Sequence, residues 1–285
     1  MTRIRLAVAA VIVLVFALGL RPVQAAPLHD ASCGGVKSPE VNAVVEQQVV
    51  ELINQERARA GLPPLKRVAQ LDDAARYFAQ DMSSDDYWPD PSKGLVAHGT
   101  YDRLNGSLVY VCPWDARIKS YYSSPTGENI AAGFGDAAAA VKGWMASAGH
   151  KANILNASNW ETGVGYAEGG TWGKYWVQEF GKQPRVYPLI INDEAAATGS
   201  RDVTLYVYGT WSEIRLKNDS DSWSGWQPFS NQTKWRLGSG VGLHTVYAEM
   251  RSTNASAISS DTIYSTDAAF DLVSPTKAFA PVVKN

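Results

Sequence analysis

Cysteine, histidine and basic charge are all scarce in this 285-residue chain. The only cysteines, Cys33 and Cys112, stand far apart, which excludes a thiolate zinc site and a small disulfide-framework domain. Lys and Arg number 26 against 28 Asp and Glu, for a formal charge of -2. No basic field of the kind that holds nucleic acid exists, so nucleic acid is not an expected partner. Charged residues make up only 19% against 45% hydrophobic, which excludes wholesale disorder. Long apolar runs are also missing apart from Leu6 to Leu20, shorter than the ~20 residues of a membrane span. Arg3 and Arg5 precede this run and Val23-Gln24-Ala25 follows it. The pattern predicts a secretory signal peptide over residues 1–25, a secreted, extracellular chain, and no membrane span in the mature protein. Cleavage removes Arg3, Arg5 and Arg21 and no acid, leaving a more acidic chain. An even cysteine count in an exported protein then points to one disulfide, Cys33 to Cys112.

Aromatic residues, by contrast, are abundant: ten Trp and thirteen Tyr suit β-rich domains and binding surfaces. The length fits two domains. Ser38-Pro39-Glu40 reads as a helix start, and Val41, Val45, Val49, Leu52, Ile53 and Ala60 follow at helical spacing until Gly61 and Pro63-Pro64 stop it. A second helix is predicted over residues 68–82. Residues 83–127 read as irregular, with a short helix near Tyr101 to Leu104. Asp136 caps a third helix through Trp144 and Met145. The period then drops to two, with Gly163-Val164-Gly165-Tyr166 and Tyr175-Trp176-Val177-Gln178-Glu179-Phe180 as paired strands around a Gly169–Gly173 turn. Beyond Pro184 only short alternating strands remain, about seven of them. The expected organisation is an α+β domain over residues 36–183, an all-β immunoglobulin-like sandwich over 185–270, and a tail over 271–285. Trp211, Trp223, Trp226 and Trp235 of the sandwich suit either hairpin packing or a carbohydrate- or protein-binding row.

Of four histidines, His98 and His150 sit beside glycines in the first domain, with Glu128 between them in sequence. Two imidazoles and a carboxylate from three segments could share a cleft, where neutral rings bind zinc or copper and the acid orients a ring. Longer strings narrow the reading. Gly127-Glu128-Asn129-Ile130-Ala131 resembles the GENI motif of the CAP superfamily, the SCP or cysteine-rich secretory family. Trp144-Met145-Ala146-Ser147-Ala148-Gly149-His150-Lys151-Ala152-Asn153-Ile154-Leu155 resembles the bacterial form of its GHxxNIL motif, and the two strand strings above follow in the family's order. Leu52-Ile53-Asn54-Gln55-Glu56-Arg57 resembles its opening helix. The match covers roughly residues 45–181.

The resemblance implies an α-β-α sandwich whose central cleft holds two His and two acids in many members. His98, Glu128 and His150 match three of them and define a ligand cleft. The fourth, an acid on the helix after the Trp, is replaced near Ser147, so any zinc held by His98 and His150 would be weakly bound. The reading favoured is a non-catalytic extracellular binding protein with a lipid, cell-envelope or other extracellular ligand. The alternatives are a hydrolase using Ser147, His150 and Glu128 as nucleophile, base and orienting acid, and an adhesion module working through the β-sandwich.

Overall fold

The computed structural model describes residues 33–266. The expected signal peptide, His29 and the 271–285 tail lie outside the described residues.

The first half is built from helices α1 (Ala43–Arg59), α2 (Ala69–Ser84), α3 (Trp114–Lys119), α4 (Ala137–Ala146) and α5 (Ala148–Ile154), with strands β1 (Lys66–Arg67), β2 (Thr100–Leu104), β3 (Ser107–Cys112), β4 (Pro125–Ala132), β5 (Glu161–Gly169) and β6 (Gly173–Gly181). The main sheet runs β1-β5-β6-β4, with β5–β6 and β6–β4 antiparallel. Alternation along β6 feeds both faces. Trp176 and Phe180 join Val49, Ile53, Val141 and Trp144 of α1 and α4 in one core. Tyr175 and Val177 join Ala75, Phe78, Ala79 and Met82 of α2 in the other. This is the three-layer arrangement that the resemblance implied. The glycines of Gly163-Val164-Gly165-Tyr166 make it close: a Cβ at Gly163 would lie 2.1 Å from the backbone of Leu71, and one at Gly165 2.2 Å from that of Ala75. Helix α2 therefore rests directly on β5.

Two local expectations are corrected. Helix α1 starts at Ala43 rather than at Ser38-Pro39, because the Asn42 side chain accepts from the Val45 amide at 3.1 Å and caps it. The preceding segment is held elsewhere, by the Cys33–Cys112 disulfide with Cα atoms 5.8 Å apart and by the Tyr121 hydroxyl donating to the Val36 carbonyl at 2.6 Å. Tyr101 to Leu104 is strand β2, not a helix. It pairs antiparallel with β3 around Asn105-Gly106, both at positive φ, the two-residue turn whose twist favours a hairpin.

The second half is all β: β7 (Leu189–Ile191), β8 (Ala197–Thr198), β9 (Asp202–Val207), β10 (Glu213–Asn218), β11 (Gln227–Pro228), β12 (Gln232–Arg236), β13 (Gly242–Ser252) and β14 (Ala255–Ser265). They form sheets β11-β10-β13-β14-β8 and β12-β9-β7 over one core that includes Leu205, Val207, Leu216, Val246, Ala248 and Met250.

The junction between the halves is polar and buried. Lys66 of β1 pairs with Glu194 at 2.8 Å and with Asp261 of β14. Asn54 of α1 donates to the Asp193 carbonyl at 2.9 Å, and Tyr208 donates to the Pro64 carbonyl at 2.8 Å. Burial pushes the Glu194 carboxyl up to about 7 against the pull of Lys66. Removing the one cation would strand two buried acids, so Lys66→Ala should cost roughly 3–5 kcal/mol in urea unfolding. Adding Glu194→Gln and Asp261→Asn should recover most of it; a full cost persisting in the triple variant would assign the loss to packing.

Candidate functional site

The site lies at the edge of the main sheet, because β4 is its outer strand. Glu128 of β4 is buried, and its two carboxylate oxygens have different partners. One meets His98 Nδ1 at 2.7 Å; the other accepts from the guanidinium of Arg117. His98 stands at φ 59° just before β2, a left-handed position that turns its ring toward Glu128.

Arg117 is wholly buried. It comes from α3, lies 3.4 Å over the Phe78 ring, and donates to Thr100 Oγ1 at 2.7 Å and to the His98 carbonyl at 3.2 Å. Directly across the strand pair from Glu128 is Glu179 of β6, also fully buried. One cation thus serves two facing carboxyls. Burial works against ionising Glu128, but Arg117 first and His98 next overcome it and hold the group below the usual carboxylate range. Burial, reinforced by the negative charge of Glu128, pushes Glu179 well above that range. Glu128 is the anion and Glu179 the neutral acid, the division expected of like charges that cannot both ionise.

An ionised carboxylate only accepts, so His98 Nδ1 donates in this bond and Nε2 is the ring nitrogen left for another partner. His150 approaches from α5. It is half-buried, and burial first, then the proximity of His98, lowers its pKa, which favours the neutral ring. Its carbonyl accepts from Asn129 at 3.2 Å. Asn153, one turn on, donates to the Glu128 carbonyl at 3.1 Å and to Asn129 Oδ1 at 2.9 Å. The GENI and GHxxNIL segments are therefore stitched to each other through amides.

The hydrolase constellation does not assemble. Glu128 is occupied by His98 and Arg117 and does not orient His150. Ser147 sits at the α4–α5 joint, and among the described residues no hydrogen bond links its hydroxyl to His150. Nor do His98, Glu128 and His150 form a compact three-ligand group. Among the described residues that group is Asp81, Asp85 and Asp102, whose carboxylate oxygens lie within 4.8 Å of one another. Burial pushes Asp81 up to about 8, against the hydrogen bond from Tyr87, so that carboxyl is largely protonated at neutral pH.

Residues 50–180 match the profile of the cysteine-rich secretory protein family, CAP. This segment is a CAP domain. The chain is 37% identical over 145 residues to the uncharacterized protein YkwD of Bacillus subtilis, covering 50% of this chain and 49% of that protein. It is 30% identical over 148 residues to the uncharacterized membrane protein YlbC of the same organism, covering 52% and 37%. It thus spans about half or less of the curated relatives it matches. Among solved structures, an extracellular protein containing an SCP domain from Bacillus anthracis aligns at 26% identity with TM-score 0.37, covering 51% of this chain and 45% of that one. A cysteine-rich secretory protein from Staphylococcus aureus aligns at 18% with TM-score 0.37, covering 51% and 40%.

Within the CAP domain, Arg117 and Glu179 were not legible as site residues. Glu179 was legible only as a strand residue, because its place opposite Glu128 depends on β4, which was not predicted as a strand. Arg117 left none, since α3 falls in a stretch read as irregular.

The proton on Glu179 has a measurable consequence. Unfolded, the carboxyl ionises near 4.5; folded, it stays protonated far above that. Native stability therefore falls as pH rises from about 4.5 toward the folded value. Glu179→Gln cannot ionise and should gain stability relative to the native chain over that window, read from urea midpoints at pH 4 and pH 8. A difference that does not change with pH would mean Glu179 is ionised. Arg117→Met, by contrast, should cost roughly 3–5 kcal/mol by leaving the buried Glu128 without its guanidinium.

Proposed function

We propose that this is an exported, non-catalytic binding protein whose CAP cleft holds a small polar ligand between His98 and His150. The observation that carries the reading is the His98–Glu128 bond. It fixes one imidazole through Nδ1 and leaves Nε2 for another partner, near a second imidazole whose pKa burial lowers. An imidazole nitrogen that carries no proton receives a hydrogen-bond donor or a divalent ion.

The donor set fits zinc only in part. A ring backed by a carboxylate is the usual support of a metal-ligating histidine. Glu128, however, spends both oxygens on His98 and Arg117, and the protonated Glu179 is a poor ligand. Two imidazoles would hold zinc weakly, with water in the remaining positions. Secretion is supported by the charged, apolar and small-residue pattern of residues 1–25, and by a disulfide that suits an oxidising compartment. The β half, with two sheets over one core, we read as an immunoglobulin-like module that displays the CAP domain.

Zinc is the direct probe. Calorimetric titration should give weak binding at pH 7.5 that fades as pH falls below ~6.5, the ordinary imidazole value. A His98→Ala, His150→Ala double variant should lose at least about tenfold in affinity. Glu128→Gln should weaken binding by releasing the His98 ring. Equal zinc binding by the double variant would remove the imidazole pair as the receiving group.

A further inference from the structure

A second cavity lies where the CAP domain meets the β half, remote in sequence from the imidazole pair. It is an open cleft of about 620 Å³ whose walls include Trp160, Tyr187, Tyr206, Tyr208, Trp211 and Asn231. Trp160 comes from the CAP domain and the other five from the β half, so the cleft exists only when the two are together.

The rings are a built cluster. Trp160 and Tyr208 stack at 4.7 Å and 23°. Tyr187 and Trp211 meet edge-on at 4.8 Å, as do Tyr206 and Tyr208 at 4.9 Å. Backbone bonds fix them: Tyr208 donates to the Pro64 carbonyl, and Trp211 Nε1 donates to the Tyr208 carbonyl at 3.3 Å. Gly209, at φ 103°, permits the approach, since a Cβ there would lie 2.5 Å from Trp211 Nε1 and 2.7 Å from the Tyr187 ring. Asn231 spends its amide hydrogens on the Val207 and Gly209 carbonyls at 2.8 and 3.0 Å, which leaves Oδ1 as an acceptor. The hydroxyls of Tyr187 and Tyr206 make no hydrogen bond among the described residues.

We infer that this junction cleft binds a neutral oligosaccharide. No Asp, Glu, Lys, Arg or His lines it, and the nearby cations are spent, Lys182 on the Trp160 ring at 3.8 Å and buried Arg57 on the Pro63, Ile154 and Asn156 carbonyls. An anionic ligand would find no counter-charge in the lining. An acyl chain would cover the Asn231 oxygen and two phenolic hydroxyls without replacing their water, which costs free energy. A sugar answers both demands, because its C–H faces lie on aromatic rings while its hydroxyls pair with amide and phenol. Fixed rings lose little entropy on binding, and clefts between domains are common ligand sites.

The test uses the full mature chain with its disulfide intact, titrated with chitohexaose, cellohexaose, a heparin oligosaccharide and decanoate while tryptophan fluorescence and heat are followed. At least one neutral hexamer should bind, with affinity reduced about tenfold in Trp211→Ala. Tyr206→Phe keeps the ring and removes one hydroxyl; it should lose about threefold and serves should Trp211→Ala fail to fold. The His98→Ala, His150→Ala variant should bind the sugar as the native chain does, which separates this cleft from the CAP cleft. Failure of both neutral hexamers to bind, sugar binding indifferent to the Tyr206 and Trp211 changes, or tighter Trp211-dependent binding of heparin or decanoate would each overturn the inference.

Discussion

The buried guanidinium of Arg117 is the contact on which the arrangement of His98 and Glu128 depends. Four pieces of chain converge on it: α3, which carries it; α2, whose Phe78 lies under it; the His98–Thr100 segment, which receives two of its hydrogens; and β4, whose Glu128 receives a third. The disulfide works in the same place, since Cys112 ends β3 two residues before α3 begins and ties it to the chain ahead of α1. A loop of that length closed covalently removes on the order of 4 kcal/mol of unfolded-state entropy in the chain-entropy account. Arg117 is thereby delivered with little conformational freedom, which makes a wholly buried cation tolerable.

The junction of the halves follows a comparable logic with the backbone as the strained partner. Asn192, Asp193 and Glu194 occupy left-handed φ values of 46°, 55° and 69° in succession, a conformation that costs about 1–3 kcal/mol at each residue without compensation. The compensation is visible. Asn54 and Gln47 of α1 donate to the Asp193 and Glu194 carbonyls, Asn192 Oδ1 accepts from the Thr204 amide, and the Glu194 carboxyl meets Lys66. The turn holds its shape because α1 and β1 are there to receive it. The aromatic cleft beside it then inherits a fixed geometry from both sides.

How much of this could be read in advance follows from the range of each interaction. The α2–β5 packing was legible, because two glycines spaced by one residue in a strand announce a close approach. Asn105-Gly106 is a hairpin-turn pair that the helical reading of Tyr101 to Leu104 left unused. The His98, Glu128 and His150 segments were legible through their motifs, though the motifs do not say which histidine the glutamate orients. That choice was made by the left-handed backbone at His98, and a non-glycine residue at positive φ leaves no reliable mark in sequence. Arg117 and Glu179 were hidden for a related reason. Their significance lies in sharing one dry volume, and burial of a charged residue is a property of the fold around it.

Glu179 also decides what kind of cleft this is. A second acid on the helix after Trp144, where Ser147 now stands, would add an anionic ligand beside the imidazoles and favour a divalent ion. Here the second acid comes from β6, behind Glu128, and it is held neutral by burial and by the charge of Glu128. The single negative charge of the cluster is already matched by Arg117. The imidazoles therefore face their ligand with almost no net field behind them. A site so balanced gains little from binding a bare cation, whose hydration it would have to replace with two nitrogen atoms. On the proposed reading it gains more from a neutral group that hydrogen-bonds to His98 Nε2 and retains water elsewhere. Relative to the two-acid pattern that the resemblance implied, Glu179 sits behind Glu128 and uncharged and adds no anionic ligand beside the imidazoles, which is why we propose hydrogen-bonded recognition there rather than ion capture.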